Sequence, residues 1–135
     1  MLYTFKLDNL SAAVDTINIQ PNDENNTRVC DMYFDAGKKQ LVCLKTNMYV
    51  YQISTIDIDS TGKPYNYENA LVTDISKQLN TACNGKYHKN IEGLCTDGQG
   101  TLYIVSDNAS TDSSKCDVAA QAGKRSALFT LKRTP

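Results

Sequence analysis

Two carboxylates and an amide, Glu92, Asp107 and Asn108, are the residues whose types and spacing predict metal binding. Carboxylate and amide oxygens are the ligands that Ca²⁺ and similar hard cations take. Glu92 stands near the start of one run of strand character, whereas Asp107 and Asn108 follow the end of the next run. The structural alternative is that Glu92 binds backbone groups at a strand end and that the other two residues cap a turn.

The two runs, Ile91–Thr96 and Thr101–Ser106, are joined by Asp-Gly-Gln-Gly. Asp-Gly between such runs predicts a hairpin, because glycine adopts the positive φ of a tight turn at no steric cost. In an antiparallel hairpin the start of one strand lies beside the end of the other. We therefore expect the three oxygen ligands at the end opposite the turn, where they supply only part of the 6–8 oxygens of a calcium site.

A second pattern of acidic and hydroxyl residues has the spacing of an EF-hand loop, with Asp57, Asp59, Thr61, Gly62 and Glu68 at its ligand and turn positions. A proline at position 8 and strand-like flanks favour instead a plain connecting hairpin. The same segment carries Tyr65, Asn66 and Tyr67 in a loop, and we predict that these residues contact a ligand because aromatic faces and amides suit a polar or sugar-like ligand.

The middle of the chain predicts a meander of four antiparallel strands, which is one blade of a β-propeller. Its predicted strands are Val29–Phe34, Gln40–Lys45, Met48–Ile53 and Ala70–Asp74. A short helix is predicted over Asp74–Thr81, capped by Asp74 or Ser76.

Aligning Asp35 with Asp97 superposes two segments of the chain, with one extra residue in the first turn. The first segment reads VCDMYFD, then a turn, then LVCL. The second segment reads EGLCTD, then a turn, then LYIV. The alignment predicts two related units. In the first unit Cys30 stands where the second has Glu92, so the carboxylate is not repeated.

These features resemble blades of β-propellers: an Ile-Glu-Gly strand start, an Asp-Gly turn, a Leu-Tyr-Ile-Val strand, a Ser-Asp-Asn end and a final strand around Leu128–Leu131. The resemblance is to the esterase-like phytase and SdiA-regulated group, and more distantly to gluconolactonase and paraoxonase. It covers best the last third of the chain. The gluconolactonase-like propellers hold a central metal with the Glu of such a Glu-Gly start, which implies that role for Glu92.

The fold expected is all-β, made of antiparallel meanders that form a partial or oligomer-completed β-propeller. We expect a single β domain over residues 1–135, with 1–27 as the end of one blade, 28–76 as one blade and 88–133 as a further blade. Roughly two to three blade equivalents are too few to close a ring of at least four. Self-association, or assembly with other blades of a larger propeller, is therefore expected.

Composition limits the function classes. The net charge of −1 gives no basic field for nucleic acid, and no apolar run approaches the ~20 residues of a membrane span. The five cysteines form no zinc-binding pattern, and the lone histidine, His88, has no nucleophile beside it. Because no catalytic set can be assembled, we expect a non-catalytic binding or assembly module of unknown ligand. The alternative is a metal-assisted esterase, phytase or lactonase, as a fragment or an oligomer, with Ca²⁺ near Glu92.

Overall fold

Antiparallel strands make up most of the structure, a computed structural model, so the expected all-β antiparallel fold is confirmed. The residues described are 2–4, 8, 11, 13, 15–19, 24–47, 50–82, 91–106 and 127–132. The strands are β1 (Leu2–Thr4), β2 (Asp15–Ile17), β3 (Arg28–Asp35), β4 (Gln40–Thr46), β5 (Tyr51–Ile58), β6 (Pro64–Tyr65), β7 (Leu71–Asp74), β8 (Ile91–Thr96), β9 (Thr101–Ser106) and β10 (Ala127–Lys132). A 3₁₀ turn (Tyr67–Asn69) precedes β7, and the helix α1 (Ser76–Ala82) follows it.

The strands form three sheets, each antiparallel. The N-terminal ribbon is β1 paired with β2, and the C-terminal sheet is the meander β8–β9–β10. The central sheet is β3–β4–β5, with β6 and β7 both pairing with the outer side of β5. The sheet curls like half a barrel. None of the helices in the described part of the chain is long and apolar enough to cross a bilayer.

The central sheet is buried on both faces, which places it between the other two. On one face Val42 and Leu44 pack with Leu94 and Ile104 of the C-terminal sheet. On the other face Cys43 packs in a second cluster with side chains that include Ile17 of β2 and Ile19, two residues after the end of β2. Alternate residues of one strand therefore enter two different cores, as the period of two of a β-strand requires.

The helix α1 covers the outer end of the first core. It begins two residues after the predicted start, and Asp74, the last residue of β7, caps its first free amide, with Ser76 N donating to Asp74 Oδ1 at 2.7 Å. Ser76 Oγ also accepts a hydrogen bond from Tyr51 N at 2.9 Å, which ties the helix to β5. Leu79 is the side chain that the helix buries.

The two units aligned in the sequence share an irregularity in the structure. The pairing of β3 with β4 shifts register between Val29 and Asp31, so Cys30 is a bulge residue. The pairing of β8 with β9 shifts between Ile91 and Gly93, so Glu92 is the corresponding bulge residue. The first strand of each meander is therefore bulged at the same aligned position. The division into blades remains a prediction.

Truncation of the shared core tests whether the two sheets form one folding unit. We expect Ile104→Ala to lower the free energy of unfolding by about 2–5 kcal/mol, because Ile104 is fully buried between the sheets. Leu71→Ala is the matched control: its side chain is 71% exposed, so we expect a change within about 0.5 kcal/mol. Urea unfolding measures both variants, and equal losses would contradict the assignment of the core.

Candidate functional site

Glu92 is an exposed bulge residue at the open end of the β8–β9 hairpin. Ile91 pairs with Ser106, so the start of β8 lies beside the end of β9. Asp107 and Asn108, the other two predicted ligands, lie outside the described residues. Within the described ranges no three His, Cys, Asp or Glu side chains are grouped as metal ligands. The calcium site remains a prediction.

The Cys30 thiol lies within electrostatic range of Glu92. Burial, followed by the negative charge of Glu92, raises the pKa of Cys30 to about 11. Cys30 Sγ donates a weak hydrogen bond to the carbonyl oxygen of Leu44 at 3.4 Å. Since the thiolate is the reactive form of cysteine, this raised pKa makes Cys30 a poor nucleophile at neutral pH.

Asp31 joins the two sheets directly, and the sequence analysis did not single it out. Asp31 Oδ2 accepts a hydrogen bond from Leu94 N at 2.6 Å, and Asp31 Oδ1 accepts one from Met32 N at 2.8 Å. The carboxylate therefore satisfies a backbone amide of β8, which pairs with one strand, β9, in the described part of the chain. Aspartate is uncommon between apolar residues of a strand, and its occurrence there was the feature of the sequence that could have indicated a special role for Asp31.

The predicted ligand residues of the loop after β6 are only partly available to a ligand. Tyr65 is 49% exposed on β6, and Asn66 is an exposed residue in the left-handed conformation, with φ 56°. Tyr67 instead packs against the second core. The structure places the three side by side in one segment, and their ligand contact remains a prediction.

The segment with EF-hand spacing forms the connecting hairpin between β5 and β6. Asp59 Oδ1 accepts hydrogen bonds from Thr61 Oγ1 at 2.7 Å, Thr61 N at 2.8 Å and Lys63 N at 3.0 Å. Asp57 Oδ1 accepts one from Gln40 Nε2 at 2.9 Å across the sheet. One carboxylate oxygen of each aspartate is therefore engaged with the sheet or the turn.

An open groove of about 570 Å³ lies between the outer parts of the central and C-terminal sheets, and the sequence analysis did not predict it. Its walls come from β5, β7, the start of α1, β9 and β10. Apolar and basic side chains share the lining: Ile53, Leu71, Ile75, Leu102, Leu131, Lys38 and Lys132. The groove shows that the two sheets meet along their inner strands and separate toward their outer ones.

The three described cysteines are free thiols in different environments: Cys43 is buried, Cys30 is half-buried and Cys95 is exposed. Burial raises the pKa of Cys43 to about 11. The remaining two cysteines and His88 lie outside the described residues. No protein family, no curated protein and no solved structure matches this chain.

Removing the carboxylate of Asp31 should weaken the junction between the sheets. We expect Asp31→Ala to lower the free energy of unfolding by about 1.5–3 kcal/mol, because it leaves Leu94 N–H without its charged acceptor. Asp31→Asn keeps an acceptor oxygen and should lose less. Asp35→Ala is the control, because Asp35 Oδ1 accepts only within its own exposed turn, from Lys38 N. Equal losses for Asp31→Ala and Asp35→Ala in urea unfolding would contradict the assigned link.

The acidic turns should make stability depend on pH. A side-chain hydrogen bond from Thr61 lowers the pKa of Asp59, and a backbone hydrogen bond from Gln99 lowers the pKa of Asp97. The stability they contribute is present above the ordinary value of 3.8 and is lost as the pH falls through it toward the lower folded values. We therefore expect unfolding free energy to fall less steeply below about pH 5 in Asp59→Asn/Asp97→Asn than in the wild type. Parallel pH curves would refute this.

Proposed function

We propose that the chain is a non-catalytic assembly module, built like part of a β-propeller, whose copies complete one another's stack of sheets. One observation carries the proposal: two related meanders, each bulged at the same aligned position, pack face to face in chain order. Face-to-face packing of successive antiparallel meanders is the arrangement of propeller blades.

The layers at the two ends of the stack support the proposal because each holds fewer strands than the central sheet. The N-terminal ribbon has two strands, and the C-terminal sheet has three in the part of the chain that is described. Over the same residues, the outer edge of β10 has no neighbouring strand. Unpaired backbone groups on such an edge are a template for pairing with another chain.

The inner strands support the same proposal. Asp31 on β3 accepts a hydrogen bond from Leu94 on β8, so the first strands of the two meanders lie together. The groove between β7 and β10 shows that the later strands diverge. An approach at the first strands and a divergence at the last ones is consistent with the radial arrangement of propeller blades.

The hydrolase alternative lacks a comparable observation. Burial keeps the thiols of Cys30 and Cys43 protonated at neutral pH, and the carboxylate of Asp59 is bound by its own turn. Calcium binding near Glu92, with Asp107 and Asn108, is retained as a separate prediction because only Glu92 is described.

The molar mass in solution tests the proposal. By light scattering at increasing micromolar concentrations, we expect a mass that is a multiple of the 14.9 kDa chain. A well-folded monomer throughout would refute assembly and the propeller-like arrangement together. The same series with Ca²⁺ and with a chelator tests the metal: a mass or melting-temperature shift that is lost in Glu92→Gln would locate calcium at the bulge.

A further inference from the structure

β4 and β9 are the aligned second strands of the two meanders. They turn opposite faces toward the core that lies between the two sheets. In the central sheet Val42 and Leu44 point toward the C-terminal sheet. Their aligned equivalents, Tyr103 and Val105, alternate with the buried Ile104 and so point away from the central sheet. The pairing Asp31–Leu44 in one unit corresponds to Gly93–Val105 in the other, which supports this equivalence.

The stack therefore has a direction. The forward face of a sheet is defined here as the side that points away from the N-terminal ribbon, and the rear face as the side that points toward it. The central sheet's forward face is covered by the rear face of the C-terminal sheet. The forward face of the C-terminal sheet is the equivalent of that covered surface, yet no described segment packs on it.

The forward face of the C-terminal sheet is mostly apolar at its centre and carries one lysine, Lys132, at the end of β10. Its other members on the three strands are Cys95, Thr101, Tyr103, Val105, Leu128 and Thr130. Val105 is 39% exposed and its cross-strand partner Leu128 is 65% exposed. This pair corresponds to Leu44 and Ile53 of the central sheet, which are buried. Exposed side chains here occupy positions that the first unit uses for a core.

A complementary surface remains on the rear face of the central sheet. The N-terminal ribbon covers that face toward β5, where Lys63 Nζ lies 3.5 Å from Asp15 Oδ2. Toward β3 the cover is incomplete: Phe34 is 52% exposed, and Met32 and Leu41 are half-buried. These three apolar residues carry no charge, so they suit an apolar forward face.

We infer that copies of this chain associate head to tail, with the forward face of the C-terminal sheet of one copy packed on the β3–β4 part of the rear face of the next. This inference rests on the proposed function and names its surface. The contact continues the interface already present between the chain's own sheets, with β8 and β9 of one copy placed against β3 and β4 of the next. The C-terminal sheet of one copy and the N-terminal ribbon of the next then share one layer.

A head-to-tail contact is heterologous, because each copy uses two different surfaces. A variant that has lost one surface therefore keeps the other. A two-fold contact of the forward face with itself would use one surface only. Complementation between two single-surface variants separates the two arrangements.

The experiment uses Val105→Asp for the forward face and Phe34→Asp for the rear face, both at exposed positions. We expect each variant alone to be a folded monomer by circular dichroism and light scattering. Their equimolar mixture should form a one-to-one dimer, about twice the 14.9 kDa chain. Leu71→Asp is the matched control, since Leu71 is exposed but lines the groove and lies on neither stacking surface; it should keep the wild-type mass.

Every other result of this experiment contradicts one particular part of the inference. A wild-type monomer refutes the proposed assembly itself. An oligomeric wild type with an unchanged mass for Val105→Asp leaves assembly standing but refutes the surface named here. Loss of assembly in Val105→Asp without any effect of Phe34→Asp, and without complementation, refutes the head-to-tail arrangement in favour of a two-fold one.

Labelling of Cys95 provides a second readout that does not depend on mass. The thiol is exposed in a single copy and lies on the forward face. We expect its alkylation, followed by peptide mass spectrometry, to slow several-fold as the wild-type concentration rises. Val105→Asp should abolish this concentration dependence and Leu71→Asp should keep it. A wild-type rate that is independent of concentration, in an oligomeric sample, would contradict the inferred interface.

Discussion

The structure depends on the burial of both faces of one sheet. Val42 and Leu44 are completely buried on one side of β4, and Cys43 is buried on the other. A strand with no polar face cannot stand at the surface, so a layer must cover each side. The helix α1 and β8–β10 provide one layer, and the N-terminal ribbon provides the other. Leu79 of the first layer is buried in the core on one side of the sheet, and Ile19 is buried in the core on the other side.

The junction of the inner strands determines how these layers meet. A bulge at Cys30 and one at Glu92 bend the first strand of each meander where the two approach. Asp31 then accepts a hydrogen bond from Leu94 N. This bond protects part of the edge of β8 that is not paired with another described strand. Because the contact is made at the first strands, the later strands separate and the groove beside Leu71 opens. One carboxylate thus influences both the angle between the sheets and the shape of the gap.

Local features of this chain were predictable because neighbouring residues determine them. The Asp-Gly turn before Thr101 formed as expected, with Gly98 and Gly100 at positive φ, and a short helix follows Asp74. The third strand of the first meander is described over Tyr51–Ile58, and the first two residues of its predicted range, Met48 and Tyr49, lie outside the described residues. The link from Asp31 to Leu94 spans 63 residues, so strand periodicity could not reveal it. The predicted metal site stays a prediction, since Glu92 alone of its three residues is described.

Because the stack of sheets has a direction, the assemblies that copies of the chain can form are limited to rings and filaments. A heterologous contact repeated with a constant rotation gives a closed ring when the rotation divides a full turn, and a filament when it does not. The step from the central sheet to the C-terminal sheet already includes such a rotation, because the sheets meet at β3 and β8 and diverge toward β7 and β10. The inferred contact between copies repeats that step. With two full layers in each copy, a ring of the usual 4–8 blades would close with about two to four copies. The size of the rotation that opens the groove within one chain therefore decides between a small closed ring and a filament.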